Sequence, residues 1–540
     1  MKIKSGVKKI AVFCAAAACC YGLAFGTDWL TDGGNNQRTG WNQEEKTLTK
    51  DNIKTLKLLW KTATGNDARA LHSLGTPLVV DKVPMPGGAK QVVYVGGVSD
   101  NLYAIDATNG KILWQRHYSY TPPPARGGGF GGPQATPQDP KHNNFLQPGG
   151  SSDTPVIGPA DASGDRTLYV DDGGGNLHSI DIVSGEDEKP TTQIGHSKFA
   201  LQLYNNMIIY GAIYTQDTAI VSLNINDPNA QAIHTSGFGR SGGLWGRRGP
   251  TIDSTGTVWT TTGDGNVDTS NPDSLILANS VVGFRLSGDS WKIENYFTPP
   301  NWAWLWHRDL DPNNTPTIFT YKGKELMAAS GKECRVYLLD PRNPGGADHH
   351  TPLYKTPLFC NVDADFQNAG SWGALTSWED SSGNRYVVVP FWGPSNPDVK
   401  FPLSYQPTPA EGGEATFKLV DNGGNLTLQP LWISHDMHRG EPNIVANGMV
   451  FSYGSGENTQ QAWPDIGLNF DSTIRAAHSG HATIYVLDGL TGKELWNSGD
   501  TITNFNHFSG ITVANGHVYL GTYDGELYCF GLPSQATSGQ

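Results

Sequence analysis

The sequence predicts an all-β, eight-bladed β-propeller built of four-stranded antiparallel blades. A short pattern, an aromatic or β-branched run ending near Gly followed by an apolar run often ending in Asp, returns eight times at spacings of 40 to 75 residues. Only 16% of the residues are charged, while 66 Gly and 10% aromatic residues suit short strands joined by tight turns. A repeat of this length in which every unit shares a core with its neighbours is typical of a propeller.

Each copy of the pattern supplies the second and third strands of one blade. The second strands are marked in order by Tyr94, Tyr169, Ile209, Trp259, Met327, Val387, Phe451 and Tyr519. The third strands are expected at residues 102–106, 177–181, 220–224, 281–286, 336–340, 417–420, 484–488 and 527–530. Gly, Asn and Asp between these runs predict the turns.

The two ends of the repeat predict how the ring closes. The last copy stops at Gly531-Leu532-Pro533 without a fourth strand, whereas residues 56–60 form a strand that no other strand precedes. The simplest closure places this N-terminal strand on the outside of the last blade, which leaves few free edges. The Trp residues that end Gly-Lys-x-Leu-Trp segments, such as Trp114 and Trp496, are expected to pack between blades.

Two stretches interrupt the repeat and are candidate lids over the central channel. Residues 119–150 are rich in Pro and Gly, and residues 456–481 carry Trp463, Arg475 and two His. Long loops of this kind often carry function on a rigid scaffold.

Residues 1–26 are predicted to be a signal peptide. Four Lys precede the mostly small and apolar residues 10–25, and cleavage would start the mature chain at Thr27. A membrane anchor is less favoured because this stretch is short for a membrane span. The expected domains are therefore the leader and a single propeller over 27–540, in a periplasmic or secreted protein, with a lipid anchor at Cys19 as the alternative.

Charge and cysteine content limit the partners. The formal charge of −13 becomes more negative when the basic leader is removed, so nucleic acid is not an expected partner. Cys334, Cys360 and Cys529 lie outside the leader, and export permits but does not require a Cys334–Cys360 disulfide. No Cys-x-x-Cys-His pattern occurs, so covalent haem is not encoded and an electron acceptor would be a separate molecule.

Several segments resemble the eight-bladed quinoprotein alcohol dehydrogenases, which depend on pyrroloquinoline quinone (PQQ), and the wider PQQ-repeat superfamily. Residues 76–80 followed by 102–106 are similar to the first blade of that family, and Gly243-Leu244-Trp245-Gly246 followed by residues 262–266 is similar to the blade beneath the cofactor. Residues 306–313 resemble the segment that holds the catalytic Asp. Lys332 falls where the family keeps an Arg or Lys on the quinone carbonyl.

The resemblance implies an exported dehydrogenase that oxidises an alcohol or sugar-like hydroxyl with PQQ and Ca²⁺. The implied cofactor-binding residues are Trp245, Lys332, Arg247, Arg248 and Trp372, and the implied metal ligands are Asp264 and Asp309. Asp309 or Asp311 would accept the proton of the substrate hydroxyl. Calcium would act as a Lewis acid on the carbonyl.

Five departures from the family pattern favour an alternative function. Ser151-Ser152-Asp153 stands where the family has a vicinal Cys pair, and Leu74-Gly75 replaces a Glu in the first blade. The calcium-ligating Glu of the family is expected near residues 213–216, where the only acid is the offset Asp217. Ser371 replaces the Asn expected before Trp372, and Asp264 replaces another Asn. The alternative is a non-catalytic scaffold for protein binding, similar to the PQQ-repeat lipoprotein of outer-membrane barrel assembly.

Two further patterns have other interpretations. Three His pairs could hold a metal, but none has a third ligand in the sequence, and they are His349 with His350, His435 with His438, and His478 with His481. The period of two in Trp302, Trp304 and Trp306 predicts a half-buried strand or a channel rim.

Overall fold

Short β-strands account for nearly all of the regular structure. The computed structural model describes residues 28–120, 150–151, 154–195, 199–211, 220–227, 229–460 and 472–533. The predicted leader, most of the 119–150 segment and part of the 456–481 segment lie outside these residues. The predicted eight-bladed propeller of four-stranded antiparallel sheets is confirmed.

The first four blades follow one another along the chain, and each runs from an inner first strand to an outer fourth strand. Blade 1 is Leu78–Met85, Gly88–Gly97, Asn101–Asp106 and Ile112–His117, and blade 2 is Val156–Ile157, Thr167–Asp171, Asn176–Asp181 and Thr192–Gln193. Blade 3 is Gln202–Tyr204, Met207–Gly211, Ile220–Asn224 and Ile233–His234. Blade 4 is Thr251–Ile252, Val258–Thr262, Val281–Ser287 and Ser290–Phe297, with Leu244–Trp245 also paired to its second strand.

The last four blades repeat this order with two additions. Blade 5 is Thr317–Tyr321, Lys324–Ala329, Tyr337–Leu339 and Tyr354–Lys355, and blade 6 is Thr376–Glu379, Arg385–Trp392, Gly412–Asn422 and Asn425–Ile433, with Leu403–Ser404 beside its outer strand. Blade 7 is Ile444–Ala446, Met449–Gly454, Thr483–Asp488 and Glu494–Asn497, with Trp41–Asn42 beside its inner strand. Blade 8 is Thr512–Ala514, His517–Gly521, Glu526–Gly531 and Lys57–Ala63. Small two-stranded pairs are Val267–Asp268 with Ile276–Leu277, and Asn314–Thr315 with Gly373–Ala374.

The ring closes through the N-terminal strand, as predicted. Lys57–Ala63 pairs antiparallel with Glu526–Gly531, so the fourth strand of blade 8 comes from the other end of the repeat. Trp60 belongs to the core that blades 1, 7 and 8 share, and Leu58 and Leu59 pack against it. The pairing removes two free edges at once.

Tryptophans of outer strands pack between blades, as the sequence predicts. The indole N–H of Trp60 donates to the carbonyl oxygen of Ala107 in the next blade at 2.8 Å, and a side chain on Gly110 would overlap the same ring. The same arrangement joins Trp432 to Gly489 and Gly492. A glycine three residues after the accepting carbonyl therefore leaves room for each indole.

The segment from Trp29 to Asn42 contacts the inner strand of every blade, which the sequence did not reveal. It has no alternating pattern, because its bonds are made mainly by backbone atoms. Its carbonyl groups accept hydrogen bonds at 2.8–3.1 Å from Val79, Ile157, Gln202, Ile252, Ile318, Ser377 and Val445, and the Asn42 amide donates to Val513 in blade 8 at 2.8 Å. This inner segment ties all eight blades together.

Arg38 anchors the inner segment. Its side chain is fully buried, and its guanidinium donates to the carbonyl oxygens of Leu201 at 2.9 Å and Pro250 at 3.2 Å. It also donates to the Asp32 carbonyl at 2.5 Å and to the Thr31 hydroxyl. The planar fork of Arg suits such a divergent set of acceptors.

The helices are short, and one of them corrects a prediction. They are the α-helices Trp302–Trp306 and Ser472–Ala477 and the 3₁₀ helices Ile53–Thr55, Gly346–Asp348 and Gly499–Thr501. The predicted strand at Trp302, Trp304 and Trp306 is wrong, because the segment forms one helical turn in which Trp302 stacks on Trp306 with ring centroids 6.3 Å apart. Positions i and i+4 share a helix face, which explains this contact. Across the part of the chain described, no helix is both long and apolar enough to cross a membrane.

One disulfide is formed. Cys334 and Cys360 form a disulfide, and their Cα atoms lie 5.3 Å apart. The sequence permitted this bond but did not require it. Cys529 is a buried free thiol in the last blade.

Candidate functional site

The predicted site residues lie at one end of blades 4, 5 and 6. In an antiparallel blade, the segment before the first strand and the loop after the second strand emerge at the same end. Trp245 precedes the first strand of blade 4, and Asp264 follows its second strand. Asp311 and Lys332 hold the equivalent places in blade 5, and Trp372 precedes blade 6.

Lys332 forms ion pairs with both predicted catalytic carboxylates. Its Nζ lies 2.7 Å from Asp309 Oδ1 and 2.8 Å from Asp311 Oδ1. The Asp311 side chain is 1% exposed, whereas that of Asp309 is 46% exposed. The pair of carboxylates thus has an inner member enclosed by protein and an outer member that solvent or a substrate can reach.

The charges in this cluster shift the pKa values of its members. Burial would lower the pKa of Lys332, but Asp311 and Asp309 raise it above its usual range, so the ammonium stays charged. Burial raises the pKa of Asp311 to about 6, against the lowering effect of Lys332. Burial, followed by the charges of Asp311 and Asp309, raises the pKa of Asp264 to about 7. The cluster therefore contains a carboxyl group that titrates near neutral pH.

Two tryptophans flank the cluster. Lys332 Nζ lies 5.3 Å from the ring centroid of Trp372, within the range of a cation–π contact. Trp245 packs against the chain beside Asp264, because a Cβ atom on Gly263 would lie 2.3 Å from the indole nitrogen. Trp245 thus lies beside the loop that carries Asp264, and Trp372 lies beside Lys332, while a role of either indole in binding a cofactor stays a prediction.

The two arginines that were predicted to bind an anionic cofactor contact other residues of this chain. Arg247 forms a buried ion pair with Glu441, and its guanidinium lies 4.0 Å from the ring centroid of Phe508. Arg248 donates to the carbonyl oxygens of Leu375 at 2.9 Å and Asn443 at 2.6 Å. These contacts hold blade 4 to blades 6 and 7, and a role of either Arg in binding a cofactor stays a prediction.

A second buried charged cluster was missed by the sequence analysis. Glu457 pairs with Arg475 and accepts from His507 Nδ1 at 2.6 Å, and all three side chains are buried. Burial would raise the pKa of Glu457, but Arg475 and His507 lower it to about 2. Arg475 lies on the helix Ser472–Ala477, so this cluster fixes the end of the predicted 456–481 lid. The only signal in the sequence was the Arg within a long loop.

The predicted His pairs do not gather into metal sites. His435 Nε2 lies 2.7 Å from Glu494, while His438 Nδ1 lies 3.2 Å from Glu411. His438 lines a cavity of about 400 Å³ with His478 and His481. Among the residues that the structure describes, no three His, Cys, Asp or Glu side chains form a group able to hold a metal ion. A calcium site at Asp264 and Asp309 stays a prediction.

Comparisons with known proteins confirm the resemblance to PQQ-repeat propellers. A PQQ-repeat family model, described as the outer membrane protein assembly factor BamB, matches residues 33–131. No curated protein sequence matches the chain.

Solved structures share the fold at low sequence identity. A europium-containing methanol dehydrogenase is 13% identical with a TM-score of 0.58, and the alignment covers 94% of this chain and 98% of that one. The quinohemoprotein alcohol dehydrogenase from Comamonas testosteroni is 14% identical with a TM-score of 0.53, covering 94% of this chain and 80% of that one. A quinohemoprotein alcohol dehydrogenase from Pseudomonas putida is 12% identical with a TM-score of 0.52, over 94% of this chain and 80% of that one. These similarities establish a common propeller fold.

Proposed function

We propose that the chain is an exported dehydrogenase that binds PQQ and oxidises the hydroxyl group of an alcohol or sugar-like substrate. The single observation that carries this proposal is the contact of Lys332 Nζ with both Asp309 and Asp311, beside the ring of Trp372. A cation, a solvent-accessible carboxylate and aromatic surfaces in one place are the groups that alcohol oxidation by a quinone requires.

The residues present fit a planar anionic quinone. Trp245 offers an aromatic surface, and a Cβ atom on Gly243, two residues before it, would meet no atom within 4 Å, so the backbone at Gly243 borders open space. The Trp372 indole nitrogen is buried without a hydrogen-bond partner and could donate to a ligand. Lys332 would supply positive charge at a quinone carbonyl oxygen. When bound, PQQ would take up the two electrons that leave the alcohol carbon.

In this proposal Asp309, Asp311 and Lys332 have different roles. Asp309, the exposed carboxylate, is placed to accept the substrate hydroxyl proton at Oδ1 or Oδ2. Asp311 is too enclosed for this role and instead fixes the Lys332 ammonium. Because its two carboxylate neighbours keep Lys332 protonated, its charge persists throughout the neutral pH range. These roles of Asp309, Asp311 and Lys332 do not require calcium, and among the described residues no three His, Cys, Asp or Glu side chains form a group that could hold a metal ion.

The test is a titration of the purified protein with PQQ, with and without Ca²⁺, followed by absorbance and by dye reduction with simple alcohols. We expect binding and turnover in the wild type, loss of turnover in Asp309→Asn, and weaker PQQ binding in Lys332→Met. Lys322→Met is the matched control, because Lys322 pairs with Asp421 on the surface. Absence of binding at tens of micromolar PQQ would refute the proposal.

A second candidate is a scaffold that binds other proteins. It is supported by the family model over residues 33–131, whose description is an outer membrane assembly factor, and by the five departures from the dehydrogenase pattern. The test is calorimetry of the purified chain with purified outer-membrane assembly proteins. Saturable binding there, together with no response to PQQ, would favour this function over the first.

A further inference from the structure

The turn that carries Lys332 is held against the catalytic segment on one side. The backbone N–H of Lys332 donates to the Asp311 carbonyl at 3.2 Å, and that of Cys334 donates to the Gly331 carbonyl at 2.9 Å. A side chain on Gly331 would lie 2.5 Å from the Asp311 carbonyl oxygen, so only glycine permits this close approach. The turn and the segment with Asp311 therefore pack backbone to backbone.

A second segment holds the same turn from the opposite side. The buried Asn361 side chain donates from Nδ2 to the Lys332 carbonyl oxygen at 2.6 Å. Its Oδ1 accepts from the Asp365 backbone N–H at 2.8 Å, which fixes the direction of the amide. Asn361 has a φ of 53°, a conformation that Asn tolerates better than most residues.

The disulfide joins these two segments covalently. Cys334 lies two residues after Lys332 and Cys360 one residue before Asn361, and the bond between them keeps the Asn361 amide beside the Lys332 carbonyl. Nothing in the proposed chemistry uses Asn361 directly, because its contacts are with backbone groups and not with either carboxylate.

We propose that Asn361 is a positioning residue for Lys332. Lysine has a flexible side chain whose ordering is costly, so its ammonium can bridge Asp309 and Asp311 reliably only if its backbone is fixed. The Asn361 amide supplies that constraint, and the disulfide holds Asn361 in place. The catalytic meaning of this inference rests on the proposed function, but its principal test does not.

The test measures the acylation rate of Lys332 by acetic anhydride in the full chain, with peptide mass spectrometry and without PQQ. Asn361→Asp keeps the shape and the acceptor oxygen but removes the donor, and we expect Lys332 to react about 10-fold faster because one hydrogen bond is lost. Asn396→Asp is the matched control: Asn396 Nδ2 also donates to a backbone carbonyl at 2.6 Å, that of Leu358, and its Oδ1 accepts from Asp398 N–H at 3.0 Å. The control should leave the Lys332 rate within about 2-fold of the wild type.

Two further measurements guard against misfolding. Circular dichroism must show that each variant is folded. If Asn361→Asp does not fold, Asn361→Gly takes its place in the acylation measurement, because glycine tolerates the positive φ at this position. A Lys332 rate that stays unchanged in the folded Asn361 variants, or that rises equally in Asn396→Asp, would overturn the inference. If the wild type binds PQQ and turns over, Asn361→Asp should lower kcat about 10-fold with little change in KM. If the wild type binds no PQQ, the proposed function fails while the acylation result still decides the role of Asn361.

Discussion

Lys332 and Asp311 form an ion pair at 2.8 Å between side chains that are only 8% and 1% exposed. Removing one partner of such a pair is strongly destabilising, because the charge of the other partner stays buried without compensation. Lys322 and Asp421 form a pair of similar length on the surface, with side chains 64% and 22% exposed. The two pairs provide a direct comparison of buried and exposed charge.

Replacing Lys332 with Met should destabilise the protein by about 3–5 kcal/mol, since Asp311 loses its partner inside the fold. Lys322→Met should cost less than about 1 kcal/mol, because water solvates Asp421 when its partner is gone. Urea denaturation at neutral pH measures both free energies of unfolding. Equal losses in the two variants would contradict the assignment of Asp311 as an enclosed carboxylate.

The ionisation of Asp264 should destabilise the folded protein as the pH rises from about 4 to about 7. The folded-state pKa of Asp264 is raised to about 7 from an ordinary value of 3.8, so the folded protein binds this proton more tightly than the unfolded chain. Its favourable contribution is complete below the unfolded pKa and is lost as pH passes the folded pKa. Asp311, with a pKa of about 6, and Glu441, with a pKa of about 7, act in the same direction.

Asp264→Asn should therefore remove this contribution, so that from about pH 4 to about pH 7 the free energy of unfolding of the variant falls less, or rises more, than that of the wild type. Asp268→Asn is the control, because Asp268 is fully exposed and its pKa is lowered by Ser270. Urea midpoints at several pH values provide the measurement. If the midpoint changes with pH in the same way in Asp264→Asn and in the wild type, the pKa of Asp264 is not raised in the folded protein.

The inner segment should depend on the geometry of Arg38. Lysine keeps the positive charge at this position but cannot reach the carbonyl oxygens of Pro250, Leu201 and Asp32 together, so Arg38→Lys should cost about 3 kcal/mol. Arg285→Lys, at a surface ion pair with Glu294, should change stability by less than about 1 kcal/mol. Thermal melting followed by circular dichroism compares them, and similar melting temperatures would argue against the anchoring role.

The contact between blades at Trp432 should be sensitive to a single methyl group. Gly492 has a φ of 74°, and a Cβ atom there would lie 2.5 Å from the Trp432 ring. Gly492→Ala should cost about 1 kcal/mol for the backbone and about 2 kcal/mol more for the overlap. Gly383→Ala isolates the backbone cost, because Gly383 has a φ of 78° and open space around it. In chemical denaturation, the free energies of unfolding of the two variants should differ by the cost of the overlap, about 2 kcal/mol.

The repeat was predictable because the second and third strands of each blade carry buried, alternating residues. Tyr94, Phe451 and Tyr519 lie in second strands as expected, and closure by residues 56–60 followed from the missing outer strand. The inner segment was not predictable, since it bonds to the blades mainly through its backbone, which leaves no periodicity in its side chains.

The candidate site was predictable only where the resemblance supplied positions. Lys332, Asp309 and Asp311 meet as expected, but the sequence could not show that Glu441 is the partner of Arg247, because nearly the length of three blades separates them. The pairing of Glu457 with Arg475 and His507 depends in the same way on blades that meet only in the closed ring. The Trp-rich segment before Asp309 was misassigned because a one-turn helix is too short to show a helical period.

The closure of the ring also determines the order in which the protein can be completed. Lys57–Ala63 and its partner Glu526–Gly531 lie at opposite ends of the propeller sequence, so each strand has an unpaired edge until the ring closes. Contacts of such high sequence separation form slowly. We therefore expect the assembly of blade 8 to be a late step of folding, and the open edges of its strands should make the chain most prone to aggregation before that step.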